Sequence, residues 1–582
     1  MKHTLAASRR TVLCVLLLSL IIPAHVRPDA QAQTGSASSR ARAGAVAAET
    51  RPRLVLLIVV DQFRYDFLER FGDLFTGGLR RLQQEGASWT QTNYDHIPTE
   101  TAPGHATLLT GAWPAETGII GNDWYDRATG RRISNVLDDS AQLLGGAAGQ
   151  AASSPRRLLV STLGDELRLA TQGRSKVVGI SVKDRAAILT VGRQASAAYW
   201  FNTATGNMVS STYYFNRLPA WVERFNAARP VDKFFGARWE RLLPEGEYVR
   251  RAGADDAPWE RAPGATTAPV FPHIVNGGLN APGRDFYDAF NYSPFSNEML
   301  VSFAEQALIN EQLGADTETD LLSVSFSAND YVGHRYGPYS HEAMDMTLRV
   351  DRQIAALLDI VERRVGLRNT LVAFTADHGV SPVPEHAASL NLPGGRIRIS
   401  DLTTAVKNGL RARFAKGEGD RDNTADYILA YTNESFYFNP VALARDGVSL
   451  DEAARVAGEA GATVPGISRF FTRAQLERGA VSTADAVARR ALHGFHPRRS
   501  GDVLFIQEPY KYLLEGFIAA THGAPYSYDT HVPLIIMGAG VRPGRYMEAA
   551  TPADLAPTLA VLLRVQPPSN SMGRVLIESL MR

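Results

Sequence analysis

The sequence predicts an α/β fold: a doubly wound, mostly parallel central sheet with helices on both faces, plus inserted cap regions. Three observations point to it. Apolar runs rich in β-branched residues recur far apart in the chain. Acidic or imidazole side chains gather beyond the ends of these runs, and a helix-period segment joins two of them.

Residues 54–60 (LVLLIVV) read as a parallel strand buried on both faces, with Asp61 at its carboxyl end. Residues 321–326 are a second such run, with Asp330 and His334 just beyond. Residues 370–375 are a third, ending in Asp377 and His378. Residues 532–537 are a fourth, closed by Gly538, and His522 and His531 precede it. Between the second and third runs, residues 341–365 have helical spacing with Glu and Arg faces, which completes a strand–helix–strand unit. Two regions break the pattern. Residues 191–290 are rich in Trp, Tyr, Phe, Gly and Pro, and residues 386–500 contain short pieces without a ligand-type cluster. Both read as insertions over the strand ends, the material of a cap within a domain spanning 52–582.

Hydrophobic content of 45% over 582 residues is ample for a large core. The 61 basic and 60 acidic residues leave a net charge of +1, so the chain has no electrostatic footprint for nucleic acid. Lys2, Arg9 and Arg10 precede an apolar run at 12–22, and Ala30-Gln31-Ala32 forms an A-x-A cleavage site. Residues 1–32 therefore read as a signal peptide, and residues 33–51, small and polar, as a disordered leader. The apolar run is too short to span a bilayer comfortably, so no stable membrane anchor is expected after cleavage. The mature protein is expected to be exported, periplasmic or secreted. Ser8 to Leu13 also have a twin-arginine look. The single cysteine, Cys14, lies inside this segment, which leaves the mature chain without a thiol.

Asp61, Asp330, His334, Asp377, His378 and His522 offer six nitrogen or oxygen donors, a set that suits two zinc-like ions. Two metals close together, clamping the attacking and leaving oxygens, suit displacement at phosphorus. Each residue also has a plain reading: a helix cap for Asp61 or Asp330, a surface side chain for His334, a polar turn for Asp377 and His378. His531 is the alternative to His522 as last ligand. Gly379 is expected to let the chain turn sharply, so that Asp377 and His378 both point inward. Thr101, ahead of Pro103 at the start of a short helix, puts a hydroxyl at the positive helix end, where a metal would deprotonate it. Asn122 lies in a turn and carries a neutral amide donor. Lys183 and Arg185 fall on one side of an extended segment after the apolar run 177–182, where they suit phosphoryl oxygens or, on the plain reading, solvent.

These residues occur within VVDQFRYD (59–66), PTETAPGH (98–105), GNDWYD (121–126), VKDR (182–185), NDYVGH (329–334), TADHG (375–379) and THGAPYSYDTHVP (521–533). In this order the set resembles the alkaline phosphatase superfamily, most of all its bacterial phosphate-irrepressible, threonine-nucleophile branch. The resemblance covers about 52–582. It implies an alkaline phosphatase-like fold, phosphate monoesters as small-molecule substrates, and two zinc ions. It implies that Asp330, His334 and His522 hold the zinc at the leaving oxygen. Asp61, Asp377 and His378 would hold the zinc that binds Thr101 and lowers its pKa. Thr101 would form a phosphothreonine intermediate, and Asn122, Lys183 and Arg185 would bind the phosphoryl oxygens. The related nucleotide pyrophosphatase/phosphodiesterase branch shares the metal set but lacks the Lys-x-Arg pair, which favours monoesters here. The sulfatase motif does not match Thr101 to His105. The rival readings are a phosphodiesterase or pyrophosphatase on the same metals, and a catalytically silent secreted binding module.

Overall fold

The computed structural model describes residues 51–260, 269–416 and 423–581. The expected signal peptide, and the leader up to residue 50, lie outside the described residues.

The central sheet has ten strands: β1 (Leu54–Val60), β2 (Ala87–Thr92), β3 (Leu143–Leu144), β4 (Val177–Ser181), β5 (Ala197–Asn202), β6 (Asn207–Ser211), β7 (Asp320–Phe326), β8 (Thr370–Thr375), β9 (Leu534–Met537) and β10 (Gly544–Ala550). Their spatial order is β10-β2-β9-β8-β1-β7-β4-β5-β6-β3. From β8 to β5 every pairing is parallel. All seven residues of β1 are fully buried, which explains an apolar run with no polar alternation. Truncating Leu56 or Ile58 to Ala in such a site would cost about 2–5 kcal/mol.

Five helices matter for the site: α1 (Thr101–Thr110), α2 (Asp184–Leu189), α3 (Pro294–Asn310), α4 (Ala328–Tyr336) and α5 (His341–Arg364). The expected strand–helix–strand unit is β7, α5 and β8, and β1 lies between its two strands. α5 starts at Ser340, whose hydroxyl accepts the Ala343 N–H. It packs on α3 and on the helix Gly78–Glu85. Asp351 of α5 accepts the N–H groups of Thr76, Gly77 and Leu79, which satisfies the start of that helix.

Three features differ from the sequence reading. β9 pairs antiparallel with both β8 and β2. An apolar run reports burial on both faces and not direction, and the loop carrying His522 reaches β9 from the site end of the sheet. Residues 191–290 are not wholly an insertion, because β5 and β6 extend the central sheet beside β4. Residues 428–507 form a separate four-stranded sheet, with Ile428–Thr432, Ser435–Phe438, Val503–Gln507 and Ile467–Thr472 in that spatial order, so it runs past the end of the expected insertion at residue 500. This second sheet has its own core, including Leu402, Val406, Phe436 and Phe505. Among the described residues no helix is long and apolar enough to cross a membrane.

Candidate active site

The donors come from the carboxyl ends of neighbouring parallel strands. Asp61 directly follows β1, and Asp377 and His378 follow β8. Asp330 and His334 lie one turn apart on α4, which begins just after β7. His522 arrives on the loop ahead of β9.

Three imidazoles are oriented alike. His334 Nδ1 lies 2.8 Å from the Ala520 carbonyl oxygen, His378 Nδ1 2.8 Å from that of Gly379, and His522 Nδ1 2.7 Å from that of Thr99. Each Nδ1–H thus donates to a backbone carbonyl, which leaves Nε2 as a lone-pair donor aimed at the carboxylates. His334 Nε2 is 3.2 Å and His522 Nε2 3.6 Å from Asp330 Oδ1. His378 Nε2 is 3.5 Å from both Asp61 Oδ1 and Asp377 Oδ2, and these three buried atoms make no hydrogen bond. Lone pairs converging in a buried place are costly unless a cation lies between them, so this donor set fits metal ions.

Two groups offer ligand atoms within 4.8 Å of one another: Asp330, His334 and His522, and Asp61, Asp330 and His378. Asp330 is common to both, whereas the sequence reading gave it to one. Asp377 meets the second group through His378. His531 is elsewhere: its Nε2 lies 2.9 Å from the Thr90 carbonyl oxygen and its ring stacks on Tyr65.

Burial and the neighbouring Asp377 push the Asp61 carboxyl well up. Burial also opposes the charge on Asp330 and Asp377, but His334 and Lys183 hold Asp330 down, and His378 and His105 hold Asp377 down. Burial lowers His378 to about 3, so its ring stays neutral.

Thr101 opens α1 and is buried. Its Oγ is 3.4 Å from Lys183 Nζ. Lys183 is not a surface residue: it is 4% exposed, and its Nζ lies 2.8 Å from Asp61 Oδ2 and 2.5 Å from Asp330 Oδ2. Burial disfavours its charge, but the two carboxylates outweigh that and raise its pKa. Lys183 is extended, as expected, but Arg185 is already in the first turn of α2. Asn122 Oδ1 accepts the Ala102 N–H at 3.0 Å, which leaves Nδ2 as a donor beside the start of α1.

Several contributors were not visible in the sequence. Gln62 has a φ of 65°, a left-handed conformation uncommon outside glycine. Its N–H donates to Asp377 Oδ1 and its Nε2 to Asp330 Oδ1, so one residue ties the two strand ends together. A Cβ on Gly333 would lie 1.8 Å from Gln62 Oε1, and one on Gly104 would lie 2.2 Å from the Asp377 carbonyl oxygen. His105 is fully buried, with Nε2 2.8 Å from Ser325 Oγ and Nδ1 hydrogen-bonded to the Thr101 carbonyl oxygen at 2.8 Å, which leaves the ring 3.1 Å from Asp377 Oδ2. Gly379 acts differently from expectation. Its φ is not left-handed, but a Cβ there would meet the Tyr528 carbonyl oxygen at 2.3 Å, so the constraint is close approach.

The family model for Type I phosphodiesterase / nucleotide pyrophosphatase matches residues 55–525. Alkaline phosphatase PhoV of Synechococcus elongatus is 36% identical, covering 91% of this chain and 93% of the relative. Alkaline phosphatase PafA of Elizabethkingia meningoseptica is 33% identical, covering 91% and 94%. The crystal structure of wild-type PafA superimposes with a TM-score of 0.82 at 32% identity, covering 91% of this chain and 99% of that one. The chain belongs to the Type I phosphodiesterase / nucleotide pyrophosphatase family, and within it is similar to bacterial alkaline phosphatases.

Proposed function

We propose that this chain is an exported phosphate monoesterase that holds two zinc ions and passes the phosphoryl group through Thr101. One observation carries the reading. The Thr101 hydroxyl sits at the start of a buried helix, facing Lys183, whose ammonium bridges carboxylates of both donor groups. The relatives named alkaline phosphatases support the same chemistry. Asp330, His334 and His522 would hold one ion, and Asp61, Asp377 and His378 the other. When bound, such a pair supplies positive charge to the attacking and leaving oxygens.

The residues account for the remaining work. Thr101 Oγ attacks phosphorus in line with the ester oxygen. A P–Oγ bond forms, the ester P–O bond breaks, the threonine proton leaves to solvent, and the departing alkoxide takes a proton from water. Water then hydrolyses the phosphothreonine, releasing inorganic phosphate and restoring the hydroxyl. Asn122 Nδ2, Lys183 and Arg185 donate to non-bridging oxygens, and these charge-assisted contacts strengthen as charge develops. Gln62 and His105 hold the carboxylates in place.

The name of the family model favours a second reading, a diesterase or pyrophosphatase on the same residues. A monoester dianion offers one more charged oxygen to Lys183 and Arg185 than a diester does, which supports the monoesterase. Turnover of a phosphate monoester and of its methyl diester separates the two. A higher kcat/KM on the diester would reverse the choice. Residues 1–32 would direct export and be removed after Ala32, which N-terminal sequencing of secreted protein checks.

A further inference from the structure

The second sheet meets the Asn122 turn through a hairpin tip. Strands Ile428–Thr432 and Ser435–Phe438 form a hairpin in which Thr432 pairs with Ser435. Its two-residue turn is Asn433-Glu434, with φ values of 50° and 52°. A turn with both central residues left-handed normally ends in glycine, so Glu434 holds a conformation with a cost. The tip bears on the residues around Asn122. Asn433 Nδ2 donates to the Asp123 carbonyl oxygen at 2.7 Å, and Thr432 Oγ1 donates to Asp123 Oδ1 at 2.9 Å. A Cβ on Gly121 would lie 2.1 Å from Asn433 Nδ2, so the tip is seated against backbone on both sides of Asn122.

Asn122 is held from the opposite side by α1. Its Oδ1 accepts the Ala102 N–H at 3.0 Å, and its own N–H donates to Glu100 Oε2 at 2.7 Å. The turn carrying this amide is therefore gripped between the nucleophile helix and the hairpin tip. A loop amide that must meet a phosphoryl oxygen loses rate if it moves by about 1 Å.

We propose that Thr432 and Asn433 are positioning residues, and that the hairpin tip clamps the Asn122 turn so that Nδ2 meets the phosphoryl group in register with Thr101 Oγ. The second sheet then serves the reaction without contributing a group that touches substrate. This rests on the reading of Asn122 as a phosphoryl-oxygen donor.

The test is a double-mutant cycle in the mature, metal-loaded enzyme, with para-nitrophenyl phosphate as the monoester. Asn433→Gly removes the side chain and keeps the left-handed turn. It is expected to lower kcat/KM about tenfold in the wild-type background and less than about twofold in Asn122→Ala, because the clamp acts only through that amide. A merely structural role would lower both backgrounds by the same factor, and that result overturns the proposal. Wild-type kcat/KM in Asn433→Gly overturns it as well. If Asn122→Ala itself costs nothing, the reading of Asn122 fails, and the clamp with it, which is distinguishable from a costly Asn122→Ala with a silent Asn433→Gly. Should Asn433→Gly not fold, Thr432→Val takes its place in the same cycle with the same deciding outcomes.

Discussion

The central sheet and the four-stranded sheet of residues 428–507 both reach the candidate site, and they do so by different means. The central sheet delivers donor side chains from the ends of parallel strands, where backbone position is set by fully buried neighbours such as β1 and β8. The second sheet delivers no donor. It folds around its own core, and a two-residue turn bears on the residues beside Asn122. On the proposed reading, chemistry is attached to the central sheet, and positioning of a single amide to a separately packed sheet.

If that division holds, changes at the strand ends cost far more than changes at the turn. The largest loss is expected for Thr101→Ala, which should lower kcat on a phosphate monoester by about a thousandfold or more while circular dichroism stays native. Retained turnover in this variant, with loss in Thr99→Ala, would move the nucleophile. Chelation should likewise abolish activity, and zinc should restore it. Elemental analysis should find two ions per chain, fewer in His522→Ala and no change in His531→Ala.

The next effect separates the two cations. Lys183 is engaged by Asp61 and Asp330, so its removal also strands buried carboxylates. Among the described residues Arg185 makes no ion pair with the donor carboxylates, and its ion-pair contact is with Asp184 at 4.0 Å. Removing both should lower monoester kcat/KM by about a hundredfold or more, a few kcal/mol for charged contacts, with a much smaller loss on a diester. Equal losses on both substrates would mean that the pair only holds the site together.

The smallest effect belongs to the turn. Burial, then the nearby Glu100, raises Glu434 from its ordinary 4.5 to about 8. The folded state therefore resists ionising a group that ionises readily when unfolded. The sign follows: stability is greatest while both states are protonated, falls as pH rises past about 4.5, and levels off above about 8. Melting temperatures of wild type and Glu434→Gln should diverge across that window, with the wild type losing more. Parallel curves would contradict the raised pKa of the Glu434 carboxyl.

What could be read from the sequence follows the same division. Asp61, Asp330 and Asp377 stand out because each follows a run buried on both faces, and strand burial leaves a plain mark on composition. His522 stands out less, since only its company of other donors distinguishes it from His531. Gln62, Gly104, His105 and Gly333 are invisible to periodicity because their roles are contacts across long sequence separations. A left-handed Gln and an oversized Cβ appear only once the strands are side by side. The direction of β9 and the membership of β5 and β6 are equally hidden, because pairing partners are not written in a run of apolar residues. The turn at Asn433-Glu434 carries no glycine and gave no signal at all.

The central claim is displacement through Thr101, and the stereochemical course at phosphorus tests it most directly. A phosphorothioate monoester made chiral at phosphorus by two oxygen isotopes is to be hydrolysed by the metal-loaded enzyme in water carrying the third, and the configuration of the released thiophosphate analysed. Two in-line displacements through phosphothreonine predict net retention of configuration; net inversion would mean direct attack by water and would contradict the account.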